Sequence, residues 1–166
     1  MDDTILVAYA TRYGSTKEIA GAIADTLRSG GETVDLLPMG EVTDIGRYRA
    51  AVVGSPIYMG KWLSDAQIFI ERQQKELRRM PVAFFSVGMT VVDKTEDGYR
   101  RAEAAMDQVR LLVQPVEIGL FAGKLEPSNL SLPDRAIVAL VRAPSGDYRN
   151  WDEIRTWASG LIEKIR

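Results

Sequence analysis

The chain has no cysteine and no histidine. Without cysteine there can be no disulfide, no thiolate catalysis, and no cysteine-held zinc or iron–sulfur centre. Without histidine there is no Ser-His-Asp chemistry, no imidazole acid–base catalysis and no histidine-bound metal. No metal site and no catalytic side chain are expected, so difficult chemistry falls to a bound cofactor. Basic charge is not in excess either: 21 Lys and Arg face 23 Asp and Glu, for a net charge of −2. No basic run or face points to nucleic acid. No apolar run is long enough to cross a bilayer. The opening Met1-Asp2-Asp3 lacks the basic region and the small-residue cleavage site of a signal peptide, so a cytoplasmic location is expected.

Two glycine motifs are also missing. No G-x-G-x-x-G follows the first apolar segment, which excludes the dinucleotide fingerprint. The nearest approach to a P-loop, Gly54 to Gly60-Lys61, has five intervening residues instead of four. It then continues with Trp62 where Ser or Thr is required. A phosphoacceptor aspartate at the end of the third strand is absent too, since Gly54-Ser55 stands there.

What is present is strand–helix alternation over 166 residues, of which 46% are hydrophobic. This suits a single domain spanning 1–166 with a good core. Residues 4–10 read as a buried strand. A helix follows with Ile19, Ile23 and Leu27 on one stripe, stopped by Gly30-Gly31. Residues 32–37 form a second strand and 39–48 a polar connection. A short third strand at 50–53 ends at Gly54-Ser55-Pro56. Ser64 and Gln67 suggest a capping box for the next helix, with Ala66, Phe69, Ile70, Leu77 and Met80 inward. Strands four and five fall at 81–87 and 115–121. Between them, one helix face carries Tyr99, Ala102, Met106 and Val109. The last helix starts near Asn150 and buries Trp151, Ile154, Trp157, Leu161 and Ile165. Five strands so arranged predict a doubly wound parallel sheet, order 2-1-3-4-5, with helices on both faces.

Residues 124–149 exceed this minimal pattern and read as an insertion after strand five. Pro133 suits a helix start, and Ala136-Ile137-Val138-Ala139-Leu140-Val141 is an aliphatic run flanked by Arg135 and Arg142. The run is expected to pack as core on the sheet edge or last helix, where Trp157 and Leu161 are available, and to shape the rim of the ligand site. The competing reading is a short helix that approaches a membrane surface or a quinone.

The richest motif is Thr11-Arg12-Tyr13-Gly14-Ser15-Thr16, directly after the first strand. Free N–H groups and the dipole at a helix start favour an anion. The hydroxyls of Thr11, Ser15 and Thr16 add donors, and Gly14 allows close approach. Ser15 and Glu18 also fit a capping box, which explains Ser15 but not Thr11. A second loop, Ser55-Pro56-Ile57-Tyr58-Met59-Gly60-Lys61-Trp62, would lie at the same sheet edge. There Tyr58 and Trp62 could face a flat ring or simply cap the core.

With Thr11–Thr16, Gly54-Ser55-Pro56 and Phe85-Ser86-Val87-Gly88, the chain resembles the flavodoxin family over essentially its whole length. Within that family it resembles the menaquinone-dependent protoporphyrinogen IX dehydrogenases. The features are Thr-Arg-x-Gly-x-Thr, Ile57-x-x-Gly60, Met80-Pro81-x-Ala83-Phe84-x-Ser86-Val87 and Ala122-Gly123-x-Leu125. The resemblance implies FMN, with phosphate on 11–16 and the ring between Ser55–Trp62 and the loop Gly88-Met89-Thr90-Val91-Val92. It also implies a peptide rearrangement at Gly54 or Gly60 on reduction. The loop after strand four lacks the tyrosine that many flavodoxins stack on the ring. The acidic surface of small shuttle flavodoxins is missing as well, and Arg135, Arg142, Tyr148 and Arg149 are the insertion's basic and aromatic candidates. The implied activity is an FMN oxidoreductase passing electrons to a quinone or protein acceptor, with a porphyrinogen as a candidate donor and peripheral membrane contact. The alternatives are an electron carrier between redox proteins and an NAD(P)H-dependent quinone reductase.

Overall fold

Strand β1, Thr4–Tyr9, is buried at every position because helices cover the sheet on both faces. In this computed structural model, which describes residues 3–141 and 145–166 (Val141 by its backbone only), side-chain alternation divides β1 between two cores. Ile5, Val7 and Tyr9 pack with α1 (Ser15–Ser29) and α6 (Trp151–Lys164). Leu6 and Ala8 pack with α2 (Ser64–Leu77), α4 (Asp107–Leu112) and the segment just before α4.

The parallel strands run β2 (Thr33–Pro38), β1, β3 (Ala50–Tyr58), β5 (Val82–Val87), β6 (Glu117–Phe121). This is the expected order, renumbered for one additional strand. Strand β3 does not end at Gly54-Ser55-Pro56. It continues to Tyr58, turns at Met59 and Gly60, and returns as β4, Lys61–Trp62, antiparallel to its own end. Both turn residues have positive φ, 53° and 79°, as a tight two-residue hairpin requires. Gly54 itself serves packing: a Cβ there would stand 2.0 Å from Phe85 Cζ.

Neither capping box forms. The N-cap of α1 is Gly14, with φ 90°, and Ser15 is already helical. Helix α2 starts from Leu63, whose N–H donates to Ser55 Oγ at 3.1 Å, and Gln67 turns back to the carbonyl of Trp62. In both cases the strand–turn geometry fixes the helix entry and leaves the serine one position too late to cap. The stretch 39–48 is more than a polar connection, since Met39, Ile45 and Tyr48 are buried from its two short 3₁₀ turns. The helix after residue 95 breaks into α3 (Glu96–Ala104) and α4, and the Ala105 carbonyl between them accepts the N–H of Trp62. At the opposite pole Arg49 donates to the carbonyls of Asp3 and Ile165 and pairs with Glu32.

In the segment read above as an insertion, β7 (Lys124–Leu125) pairs antiparallel with β8 (Gly146–Asp147), and α5 spans Leu132–Val141. Here the expected core packing is not found. Leu140 is 84% exposed and Leu132 is 76% exposed. Trp157 is already occupied, with its ring edge-on to Phe85 and Phe121 and its N–H on the Ile118 carbonyl. Leu161 is buried in the core formed with α1. Helix α5 is joined instead through Asp134 to the loop before α1 and to the end of β3, and Ile137 and Val138 line a cavity. Arg142 and the side chain of Val141 lie outside the described residues.

Candidate cofactor site

At the carboxyl edge of β1, the first N–H bonded back into α1 is that of Glu18, which reaches the Gly14 carbonyl at 3.3 Å. No side chain caps this helix, so the N–H groups of Ser15, Thr16 and Lys17 stay unbonded at the positive end of the dipole, beside the cavity that Ser15 and Thr16 line. Thr11 Oγ1 accepts the Gly14 N–H at 2.9 Å, which shapes the loop and leaves the Thr11 hydroxyl proton free to donate. Thr16 is buried and lines the same cavity, as do Ser15, Arg12 and Tyr13.

The cavity measures about 210 Å³. Pro56, Ile57, Tyr58 and Met59 line it together with Gly88 and Met89 from the neighbouring strand end, where Gly88 lies against Ile57: a Cβ there would stand 2.9 Å from Ile57 Cδ1. Of the other residues named from sequence, Gly14 and Gly60 shape turns without lining the cavity. Lys61 is exposed on β4 and does not line the cavity. Ser55 is wholly buried, its hydroxyl donating to the Pro56 carbonyl and accepting from Leu63, so it staples the hairpin. Thr90 Oγ1 is buried without a partner outside the lining, and Val91 lines a separate cleft with Tyr99 and Tyr148. Trp62 caps the core: its N–H donates to Ser86 Oγ at 2.8 Å and its ring lies 5.1 Å from Phe84.

The remaining wall comes from Gly123 and the segment that follows it. Gly123, Lys124, Leu125, Leu130, Asp134, Ile137 and Val138 all reach the cavity, along with Leu63 and Val87 from the body. Asp134 is 3% exposed. Its Oδ2 accepts from Arg12 Nε at 2.6 Å and from the Tyr13 hydroxyl, and its Oδ1 accepts from the Tyr58 hydroxyl at 2.5 Å. The Arg12 guanidinium also lies 4.6 Å from the Tyr58 ring centroid. The hydrogen bond from Arg12 holds the Asp134 carboxyl well below the usual carboxylate range, against the opposing cost of burial, and the two tyrosines reinforce it. Arg135, Tyr148 and Arg149, in contrast, make their bonds away from the cavity, to Pro127, Ser145 and Asp147.

A group whose folded pKa is depressed stabilises the fold above its unfolded value and loses that contribution as pH falls through the folded one. The melting-temperature gap between the wild-type chain and Asp134→Asn is therefore expected to stay constant from about pH 8 to pH 5. It should shrink only below about pH 4. A gap that closed near neutrality would contradict an ionised, paired Asp134.

Residues 6–152 match the flavodoxin domain model. The chain belongs to the flavodoxin domain family. Among curated relatives, this flavodoxin domain is 27% identical over 170 residues to a protoporphyrinogen IX dehydrogenase [quinone] of Escherichia coli (strain K12), covering 92% of this chain and 91% of that one. It is also 27% identical over 172 residues to the enzyme of that name from Leishmania major, covering 93% and 72%. A solved flavodoxin from the domain Archaea superposes with a TM-score of 0.61 at 16% identity, covering 98% of each chain.

The residues present fit a phosphate-tailed flavin, the group expected of a flavodoxin domain. The uncapped helix start and three hydroxyls suit a phosphate monoester. Gly123 keeps the floor open, since a Cβ there would stand 3.1 Å from Val87 Cγ1 and 3.8 Å from both Met89 Sδ and Ser15 Oγ. Arg12 is spent on Asp134, so the phosphate would rest on the backbone and hydroxyls and not on a guanidinium.

Proposed function

We propose that this chain is an FMN-dependent oxidoreductase that takes electrons from a porphyrinogen-class donor and delivers them to a quinone. FMN supplies the redox chemistry: its ring can accept two electrons and release them singly or together. The protein supplies binding and enclosure. The N–H groups at the start of α1 and the hydroxyls of Thr11, Ser15 and Thr16 would hold the phosphate. Ile57, Tyr58 and Met59 from the hairpin and Gly88 and Met89 from the neighbouring loop would line the ring's place. No side chain here is assigned a proton-transfer step, since Asp134 is held ionised and its partners are occupied.

The observation that carries the enzyme reading over the carrier reading is the insertion itself. It adds an apolar wall of Leu125, Leu130, Ile137 and Val138 to the cavity. A carrier that meets partners at an exposed ring edge has no use for such a wall, whereas a flat apolar substrate does. The names of the relatives from Escherichia coli and Leishmania major agree with this reading. No helix among the described residues is long and apolar enough to cross a membrane, so a membrane-dissolved quinone would have to be met at the surface.

The test is anaerobic turnover of the FMN-loaded chain with a porphyrinogen and a soluble menaquinone analogue, followed by porphyrin fluorescence. Multiple turnovers that require quinone are expected. Changing Ile137 and Val138 together to serine should leave the melting temperature within a few degrees, because both are only partly buried. It should still lower kcat/KM for porphyrinogen at least tenfold. Equal turnover by the double variant would remove the wall from the mechanism, and no porphyrin formation by the wild-type chain would return the carrier reading to first place.

A further inference from the structure

Helix α5 is held down over the cavity in an unusual way. Among its described residues, every side-chain hydrogen bond that reaches beyond the insertion belongs to Asp134. Arg135 bonds only to the carbonyls of Pro127 and Ser128 within the insertion. The outward side carries the exposed Leu132 and Leu140. Both carboxylate oxygens of Asp134 are filled, and the donors come from two separate loops: Arg12 and Tyr13 from the turn before α1, and Tyr58 from the hairpin. One residue thus ties together three segments, 122 positions apart along the chain in the longest case. It stands one turn before Ile137 and Val138, on the same face of α5.

We propose that Asp134 is a positioning residue that latches α5 over the cavity and so sets the apolar wall against the bound flavin and its substrate. The Arg12 guanidinium, sandwiched near the Tyr58 ring and committed to Asp134, is the keeper of the latch. A charged hydrogen-bonded pair suits this task better than another aliphatic contact. It has one geometry, and the tyrosine hydroxyls that complete it report the position of both loops at once. The latch is a property of the protein alone. Its consequence for ligands rests on the FMN reading given above.

Hydrogen exchange on the full-length chain, with and without added FMN, separates the two. In the wild-type chain the amides of 135–140 should be protected in both states. Asp134→Ala should lose at least tenfold in protection there, while amides of β1 and β3 stay unchanged and so show an intact fold. Asp134→Asn, which keeps the acceptor for a tyrosine but not the charge, should fall between. The dissociation rate of riboflavin, read from flavin fluorescence, should rise about fivefold or more in Asp134→Ala; riboflavin is the probe because Arg12, released from Asp134, lies in the loop assigned to the phosphate and would change FMN release in its own way. Unchanged protection of 135–140 in Asp134→Ala would overturn the latch. Lost protection with unchanged riboflavin release would overturn its positioning role. A wild-type chain that binds no FMN but shows the exchange pattern would keep the latch and sink the cofactor reading.

Discussion

Replacing Thr11 and Thr16 together with alanine is expected to lower FMN affinity by a hundredfold or more while hardly affecting riboflavin. Each hydroxyl would donate to a phosphate oxygen, and a hydrogen bond to a charged group contributes about 1.5–3 kcal/mol. Two such losses make about 3–6 kcal/mol, or roughly two to four decades in Kd. The effects need not be equal. Thr11 also accepts the Gly14 N–H, so its loss loosens the loop as well as removing a donor. Thr16 is buried, so its loss leaves a small void beside the phosphate. Titration of the cofactor-free chain by flavin fluorescence quenching checks this. Equal losses for FMN and riboflavin would show that the hydroxyls hold the loop and do not read the phosphate.

Trp62→Ala is expected to have the largest effect on stability and a smaller direct effect on the flavin. Truncating a buried tryptophan costs about 3–5 kcal/mol. Here it also orphans the Ser86 hydroxyl, which is 1% exposed and bonded to the indole N–H. An unpaired buried polar group adds about 1–3 kcal/mol. The sum is a large part of a typical total of about 5–15 kcal/mol, so the melting temperature should fall by roughly 10 °C or more. Far-ultraviolet circular dichroism during a melt measures it. A variant that melts normally but loses FMN would place Trp62 at the ring after all and contradict its position beneath the hairpin.

Trp62 also shows how far the sequence could be read. An aromatic in a loop after a central strand faces either ligand or core, and composition does not choose. What decides here is the return strand β4, only two residues long, which tucks the indole under β3. That hairpin was illegible because Met59 adopts positive φ without being glycine or asparagine. The sheet order and its cover on both faces were legible, since the unbroken apolar run of β1 and helical stripes such as Ile19-Ile23-Leu27 point to a parallel sheet between helices. The loop at 11–16 reads as an anion site in the sequence, and Thr11, Arg12, Tyr13, Ser15 and Thr16 of it line the cavity. Its capping box was not to be trusted, because Gly14 takes the N-cap and frees the helix start. Asp134 gave little sign in the chain. One acidic residue after Pro133 reads as an ordinary first-turn aspartate, and its partners lie more than 70 positions away. The aliphatic run 136–141 misled for a related reason: hydropathy suggests burial but does not say against what, and Trp157 and Leu161 of the last helix pack on Phe85, Phe121 and the core of α1.

The Arg49 clasp at the foot of the sheet has a practical meaning. By holding the carbonyls of Asp3 and Ile165 on one guanidinium, it gathers both ends of the described chain at a single pole. The six residues of β1 separate that pole from the cavity, roughly 20 Å at about 3.3 Å per residue. A tether fixed to either end would orient every molecule alike, mouth outward. A layer of this protein on a surface would exchange electrons with whatever diffuses to the mouth, and not with the support that carries it.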